Sequence, residues 1–246
     1  MRHIVGLSGG KDSSAMALRL VELYPDRRFE FVCTPTGNEL PAMFRHWAHL
    51  SELLGSRLVR VTGGNTLKSL AREHHAIPNW RMRFCTPHLK IKPFQTYLLA
   101  AAPATSYVGI RADETDREGV DHSQIDGITN SWPLVEWGWG LKQVIEYLAL
   151  RGVTVPERTD CAWCFFQRLG EWWRLWKEHP DLYAEGEALE VELGHTFRSE
   201  DRDTWPASLA ELRKEFESGR VPRGADQLLL PMGVAQRPRM CSICAR

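Results

Sequence analysis

No stretch of this 246-residue sequence approaches the ~18 to 20 consecutive apolar residues that a membrane-spanning helix needs. Excess charge of either sign is also missing, since 31 lysines and arginines meet 31 aspartates and glutamates. That balance excludes wholesale coating of nucleic acid or of an anionic membrane, so any anion site has to be local. Internal repeats and low-complexity blocks are absent, and 43% hydrophobic with 25% charged residues is neither a disordered nor a fibrous composition. The start, Met1-Arg2-His3 followed by Ile4-Val5-Gly6-Leu7, is too short for a signal-peptide core, which predicts a cytoplasmic protein. Thiols stay reduced there, so the six cysteines read as metal, cluster or catalytic thiols rather than as disulfides.

What is present is, first, an alternation of strand and helix patterns. Ile4 to Leu7 predicts a strand, Ser8-Gly9-Gly10 a tight turn, and Ser13 to Leu23 a helix. Strands follow over Phe29 to Cys33, Arg57 to Val61 and Ser106 to Ile110, and helices over Pro41 to Leu54, Leu67 to His74 and Leu89 to Ala101. This predicts a doubly wound, mostly parallel α/β sheet, in which ligands bind outside the carboxyl ends of the strands. After Arg111 a polar stretch runs through Asn130. Helices are then expected over Leu141 to Leu150, Glu171 to Glu178, Leu182 to Leu193 and Leu209 to Glu217, with Gly219 to Arg239 as an extended tail. The expected division is a nucleotide-binding domain over residues 1–135 and a mainly helical, cysteine-containing region over 136–246.

The turn Ser8-Gly9-Gly10-Lys11-Asp12-Ser13 carries the first chemical signal. Two glycines let backbone N–H groups approach an anion, the following helix start adds partial positive charge, and Lys11 adds a full one. Ser8 and Ser13 supply hydroxyls. Glycine, serine and aspartate also make ordinary turns, but the lysine at a strand-to-helix junction points to a phosphate cradle. Its spacing fits neither the Walker pattern nor the dinucleotide fingerprint.

The string resembles the PP-loop of the ATP pyrophosphatase superfamily, S-G-G-x-D-S. Thr36-Gly37-Asn38-Glu39 resembles the T-G-x-E element of its phosphoadenosine-phosphosulfate (PAPS) reductase-like branch, with Pro35 where that branch has Asp, and Gly109-Ile110-Arg111-Ala112-Asp113-Glu114 resembles its G-x-R-x-x-E. The resemblance covers about residues 1 to 170 and implies an adenine nucleotide alpha hydrolase-like fold that cuts ATP into AMP and pyrophosphate. It further implies that Ser8, Gly9, Gly10, Lys11, Asp12, Ser13, Thr36, Gly37, Glu39, Gly109 and Arg111 bind ATP, with Asp12 positioning Mg²⁺ directly or through water. The expected catalytic residues are Lys11, Asp12, Cys85 and Arg111. True PAPS reductases lack the Lys-Asp pair in this loop and end in a Glu-Cys-Gly-Leu-His signature that does not occur here. The expected activity is therefore adenylation of a nucleotide or nucleic-acid substrate for sulfur transfer, with a sulfur or electron donor protein as possible partner. Sulfonucleotide reduction, or a non-catalytic zinc-stapled nucleotide-binding module, are the alternatives.

The second signal is Cys161-x-x-Cys164 and Cys241-x-x-Cys244. Thiolates at this spacing grip one tetrahedral metal or one face of an iron–sulfur cluster. Cys85, at a predicted helix start where a low thiol pKa is expected, is a candidate third ligand beside Cys161, Cys164 and one of Cys241 and Cys244. A [4Fe–4S] cluster and a closed Zn²⁺ site on the two pairs both stay open. Cys33 ends an apolar strand and reads as core.

A local positive field is expected from His74 to Ala112, which contains no acid but Arg81, Arg83, Lys90, Lys92 and Arg111. Asp113, Glu114 and Asp116 follow and can hold magnesium. Trp172, Trp173 and Trp176 are expected to pack a core or shield a metal centre, Trp137 and Trp139 lie in a more loop-like stretch, and His74, His75 and His88 are expected to be structural or phosphate-adjacent.

Overall fold

The structure, a computed structural model, describes residues 1–56, 58–116 and 121–225. Cys241, Cys244 and residues 226–239 of the expected tail lie outside the described residues. Five strands form one parallel sheet in the order β3-β2-β1-β4-β5. They are β1 (Arg2–Gly6), β2 (Phe29–Cys33), β3 (Val59–Arg60), β4 (Ala104–Tyr107) and β5 (Ile128–Ser131). The connecting helices are α1 (Lys11–Leu23), α2 (Pro41–Leu53), α3 (Leu67–Glu73) and α4 (Lys92–Ala101), and a π-helical turn, Pro87–Ile91, leads into α4.

Alternation along the strands makes both faces of the sheet apolar. Val5 and Phe31 point to one face, with Met16 and Leu20 of α1 and Met43 and Leu50 of α2. Ile4 and Val32, their chain neighbours, point to the other, with Phe94 and Leu98 of α4. Burying each such side chain contributes about 1.5–3 kcal/mol, which is why a parallel sheet needs helices on both sides. The short helix α5 (Pro133–Glu136) and α6 (Leu141–Leu150) follow β5, and Val144 and Leu148 of α6 join the α1 side of the core.

The remaining helices, α7 (Leu169–Glu178), α8 (Pro180–Leu193) and α9 (Leu209–Glu217), build another apolar cluster around Trp172, Tyr183, Leu209 and Phe216. Leu67 and Leu70 of α3 belong to it, and Cys85 and Cys161 pack against it. Trp172 and Trp173 are therefore core residues, and Trp176 packs against Phe216. Trp137 and Trp139 also pack inward, edge to face with each other and near Tyr147.

Two segments differ from the sequence reading. The polar stretch before Trp132 contains β5, whose residues Ile-Thr-Asn-Ser carry one apolar side chain and join the sheet through backbone pairing with β4. The strand expected over Ser106 to Ile110 begins at Ala104 and leaves the sheet after Tyr107, which frees Val108 to Arg111 to turn toward α1.

In α8 the carboxylate of Glu190 is buried and accepts from the backbone N–H groups of Phe197 at 2.8 Å and Leu209 at 2.6 Å. Burial pushes its pKa up to about 7. The folded chain therefore keeps a proton between about pH 4.5 and 7 that the unfolded chain has released, and stability drains as pH rises through that window. Glu190→Gln is expected to shrink the difference in Tm between pH 5 and pH 7. Parallel wild-type and variant profiles would exclude this assignment.

Candidate functional site

The strand order reverses between β1 and β4, and the loops leaving these two strands face each other there. In open α/β sheets this crevice is where ligands bind. The loop after β1 is Leu7 to Gly10, and α1 starts with no side-chain cap at Gly10, so its first N–H groups are presented as the N-terminal end of a 13-residue helix. Gly9 has φ +85°, and a Cβ on it would lie 2.6 Å from the Trp47 indole nitrogen. Only glycine permits both that backbone and that approach.

The loop is pinned from behind and within. Trp47 of α2 donates its indole N–H to the Ser8 carbonyl at 3.1 Å. His46 packs beside Gly9, and burial lowers its pKa to about 4, so it stays neutral near pH 7. The Ser8 and Ser13 hydroxyls lie 3.0 Å apart, the Gly10 N–H donates to Ser8 Oγ at 3.3 Å, and Ser13 Oγ donates to the Gly10 carbonyl at 3.2 Å. Lys11 Nζ sits 3.5 Å from Asp12 Oδ2.

Arg111, 3% exposed, joins the two loops. Its Nη1 donates to both Asp12 oxygens at 3.1 and 3.0 Å, and its Nε donates to Asp113 Oδ1 at 2.7 Å. Glu114 accepts the Arg111 backbone N–H at 3.2 Å. Burial alone would lower the Arg111 pKa, but Asp12, Asp113 and Glu114 together raise it. The other Asp113 oxygen accepts the Leu141 N–H at 2.8 Å, tying the cluster to the start of α6. Gly109 lies flat on α1, where a Cβ would meet Ser13 Cα at 3.2 Å. Asp12, expected beside magnesium, thus has Arg111 on both oxygens, and Asp113 is engaged by Arg111 and Leu141.

The element after β2 is a closed loop. Thr36 donates its N–H and hydroxyl to Glu39 Oε1 at 2.5 and 2.7 Å, and the Gly37 N–H donates to Glu39 Oε2 at 3.1 Å. Glu39 therefore shapes the turn. Gly37 has φ +76°, and a Cβ there would lie 2.7 Å from Thr66 Cγ2. Cys161 pairs with Glu39 in an isolated antiparallel bridge, and the Ala162 N–H donates to the Asn38 carbonyl at 2.7 Å. Arg158 holds the approach to the cysteine pair, donating to the Cys161 carbonyl at 2.9 Å and to Asp160 at 3.2 Å. Thr159 Oγ1 lies 3.7 Å from where a Gly10 Cβ would stand, so the same segment also borders the first loop.

Cys85, Cys161 and Cys164 line one cavity of about 30 Å³ with Thr36, Thr86 and Lys90. Cys161 and Cys164 share a side-chain hydrogen bond. This bond and burial raise the Cys161 pKa, while the same bond lowers that of Cys164. The Cys85 thiol departs from the expectation of a low pKa: burial raises it, and Lys90 offsets only part of that. The helix start is there, but the side chain faces the protein interior. Cys33 is core, 2% exposed, and burial pushes it up to about 11. Among the described residues no group of three or more histidine, cysteine, aspartate or glutamate side chains is arranged to hold a metal ion. Cys241 and Cys244 lie outside them.

The sequence reading missed Met43, His46 and Trp47, which contact the first loop from α2, and Arg158 and Thr159, which connect the cysteine pair to it. The only signal for the first three was the helical spacing of α2, which predicts burial and says nothing of what is buried against it. Of the histidines, His74 stacks on Phe84 at 4.4 Å and lies edge-on to His88, a structural arrangement.

Trp47→Phe keeps an aromatic ring at this position, smaller than the indole, and removes the N–H donated to Ser8. ATP affinity, measured by calorimetry, is expected to fall about three- to tenfold, from a hydrogen bond worth about 1 kcal/mol. Unchanged affinity would mean that α2 does not set the loop.

The sequence profile of the phosphoadenosine phosphosulfate reductase domain matches residues 2–172. Among solved structures, the chain is similar to a phosphoadenylyl-sulfate (PAPS) reductase from Candida auris in a phosphate complex, with 16% identity and a TM-score of 0.48 over 64% of this chain and 76% of that one. No curated protein gives a significant match. The profile spans well over half of the sequence, and the chain belongs to the PAPS reductase domain family of the PP-loop ATP pyrophosphatase superfamily.

Proposed function

We propose that this protein is an ATP-dependent adenylating enzyme that activates a nucleotide or nucleic-acid substrate for sulfur transfer. The observation that carries the reading is the complete Ser-Gly-Gly-Lys-Asp-Ser loop at the β1/β4 crevice, with a cysteine-lined cavity fastened to the next loop. In this reading the N–H groups of Gly9, Gly10 and the first turn of α1, with Ser8, Lys11 and Ser13, hold the phosphates of Mg²⁺-ATP. Asp12 and Arg111 keep the loop in register, while Thr36, Gly37, Glu39 and Gly109 shape the walls of the nucleotide site. A substrate oxygen attacks the α-phosphorus, pyrophosphate leaves, and the poor leaving oxygen becomes part of AMP. A sulfur nucleophile then displaces AMP and forms the carbon–sulfur or phosphorus–sulfur bond. Lys11 stabilises charge developing on the phosphates, a role for which a positioned cation is suited.

Two segments of the chain, Cys85 and the Cys161/Cys164 pair, bring three sulfurs to the border of the cavity, and sulfur is the donor type a thiophilic centre takes. Cys85, Cys161 and Cys164, with Cys241 or Cys244, would hold a [4Fe–4S] cluster; with only three of these thiolates bound, its open iron would carry the sulfide that is transferred. Zn²⁺ on Cys161, Cys164, Cys241 and Cys244 would instead fasten the tail. In either case Arg158 and Glu39 position the cysteine pair, and Cys85 is the residue that separates the two arrangements.

Family membership favours one other reading, reduction of a sulfonucleotide to sulfite with electrons from a thiol donor protein.

Incubation with α-labelled ATP and candidate acceptors is expected to yield AMP and pyrophosphate, and Lys11→Ala to slow this by about a hundredfold. ADP as product, or full activity in Lys11→Ala, would overturn the proposal; thiol-dependent sulfite release from PAPS without ATP would establish the reductase. Anaerobically purified protein is expected to contain iron and sulfide that Cys85→Ala diminishes. Stoichiometric zinc insensitive to Cys85→Ala would assign the staple.

A further inference from the structure

Of the ten tryptophans, Trp80 alone is exposed, at 61%. It stands on a turn built to project it. Asn79 Oδ1 accepts the backbone N–H groups of Arg81 at 2.9 Å and Met82 at 3.0 Å, so the chain reverses over Asn79 and turns Trp80, Arg81 and Met82 outward. The Arg81 guanidinium lies 4.5 Å from the Trp80 ring centroid, and Met82 is 49% exposed.

The turn runs straight into the cysteine cavity. Pro78 and Cys85, on either side of it, both line the cavity, as does Phe166, which is 41% exposed and carries Arg83 5.5 Å from its ring centroid. Each of the two exposed rings, Trp80 and Phe166, thus carries a guanidinium over its face. No acid occurs between His74 and Ala112, and Asp160, an acid lining the cavity, is paired with Arg158. In a chain with equal numbers of acids and bases, this is a segregated stretch of sequence.

The size of the cavity says what kind of acceptor fits. About 30 Å³ holds a group of a few atoms, whereas a pocket that recognises a free small molecule encloses most of its surface and runs to about 300 Å³ or more. Contacts to an acceptor as large as a nucleotide therefore extend onto the open surface beside the cavity. Contacts on such a surface are individually weak and gain strength when repeated along a chain. Exposed aromatic faces interleaved with arginine match unstacked bases and phosphates, since every base presents a π-face and every linkage a charge. Duplex does not offer this, because its bases are already stacked.

Resting on the sulfur-transfer reading above, we propose that the turn Asn79–Phe84 together with Phe166 is a landing surface for a single-stranded nucleic acid. A base stacks on Trp80, the adjoining phosphates lie against Arg81, and the strand continues toward the cysteine-lined cavity. The acceptor is then a nucleotide within a strand.

The test is fluorescence anisotropy of the full chain with labelled single-stranded DNA, the same sequence as RNA, the matching duplex, and unlabelled AMP as competitor. Binding of a single strand that weakens steeply with added KCl is expected, the DNA and RNA arms telling which strand is preferred. Trp80→Ala should weaken it about tenfold, Trp80→Phe should restore most of that loss, and Arg81→Glu should weaken it and flatten the salt dependence. ATP affinity, measured separately, should be unchanged in all three variants. No binding of either strand at low salt, equal affinity for duplex, competition by AMP at similar concentration, or insensitivity to both positions would overturn the proposal. Because ATP affinity is measured without any acceptor, loss of strand binding with ATP binding intact removes this surface and leaves adenylation of another acceptor standing, whereas loss of ATP binding itself removes the adenylation reading.

Discussion

The buried ion pair between Arg111 and Asp12 makes one site out of two loops that are 99 residues apart in sequence. A guanidinium this deep in the fold has to be matched by carboxylates, and removing one partner of such a pair leaves a charge whose exposure to low dielectric costs about 3–5 kcal/mol. Here Asp12, Asp113 and Glu114 surround it, and the network reaches the start of α6 through Leu141. The position of the first turn of α1 relative to β4 is therefore fixed by electrostatics as well as by the flat contact at Gly109. The phosphate-binding reading of the first loop depends on that fixed position, since backbone N–H groups act on an anion only where they converge.

The same logic extends to the sulfur side of the crevice. Glu39 closes its own turn and then pairs its backbone with Cys161, so the cysteine pair is attached to the loop after β2. Arg158 and Thr159 carry the chain from the first loop to that attachment. The segment from Arg158 to Ala162 thus borders the first loop at one end and is bound to the loop after β2 at the other.

Much of this was legible in the sequence because it is encoded locally. The strand, glycine turn and helix around Ser8 to Leu23 follow from periodicity and from the φ that Gly9 adopts, and α6 and α9 have the bounds their apolar spacing predicts. β5 was not legible, because an edge strand reading Ile-Thr-Asn-Ser is held by its neighbour's backbone and carries little apolar pattern. Nor was the pairing of Asp12 with Arg111, which makes the aspartate a structural partner rather than an open carboxylate. Cys85 shows the limit most clearly: position in the chain suggested an acidic thiol, and burial, a property of the folded whole, raises it. Trp47 and His46 looked like one face of an amphipathic helix, and only tertiary packing reveals that the face rests on the first loop.

The most direct measurement is a crystal structure with an ATP analogue that resists cleavage between the α and β phosphates. The account predicts its phosphates on the N–H groups at the start of α1, beside Lys11, with the α-phosphorus open toward the side of the crevice that carries Cys85, Cys161 and Cys164. An empty loop, or an analogue that turns its γ-phosphorus to that side, would contradict it.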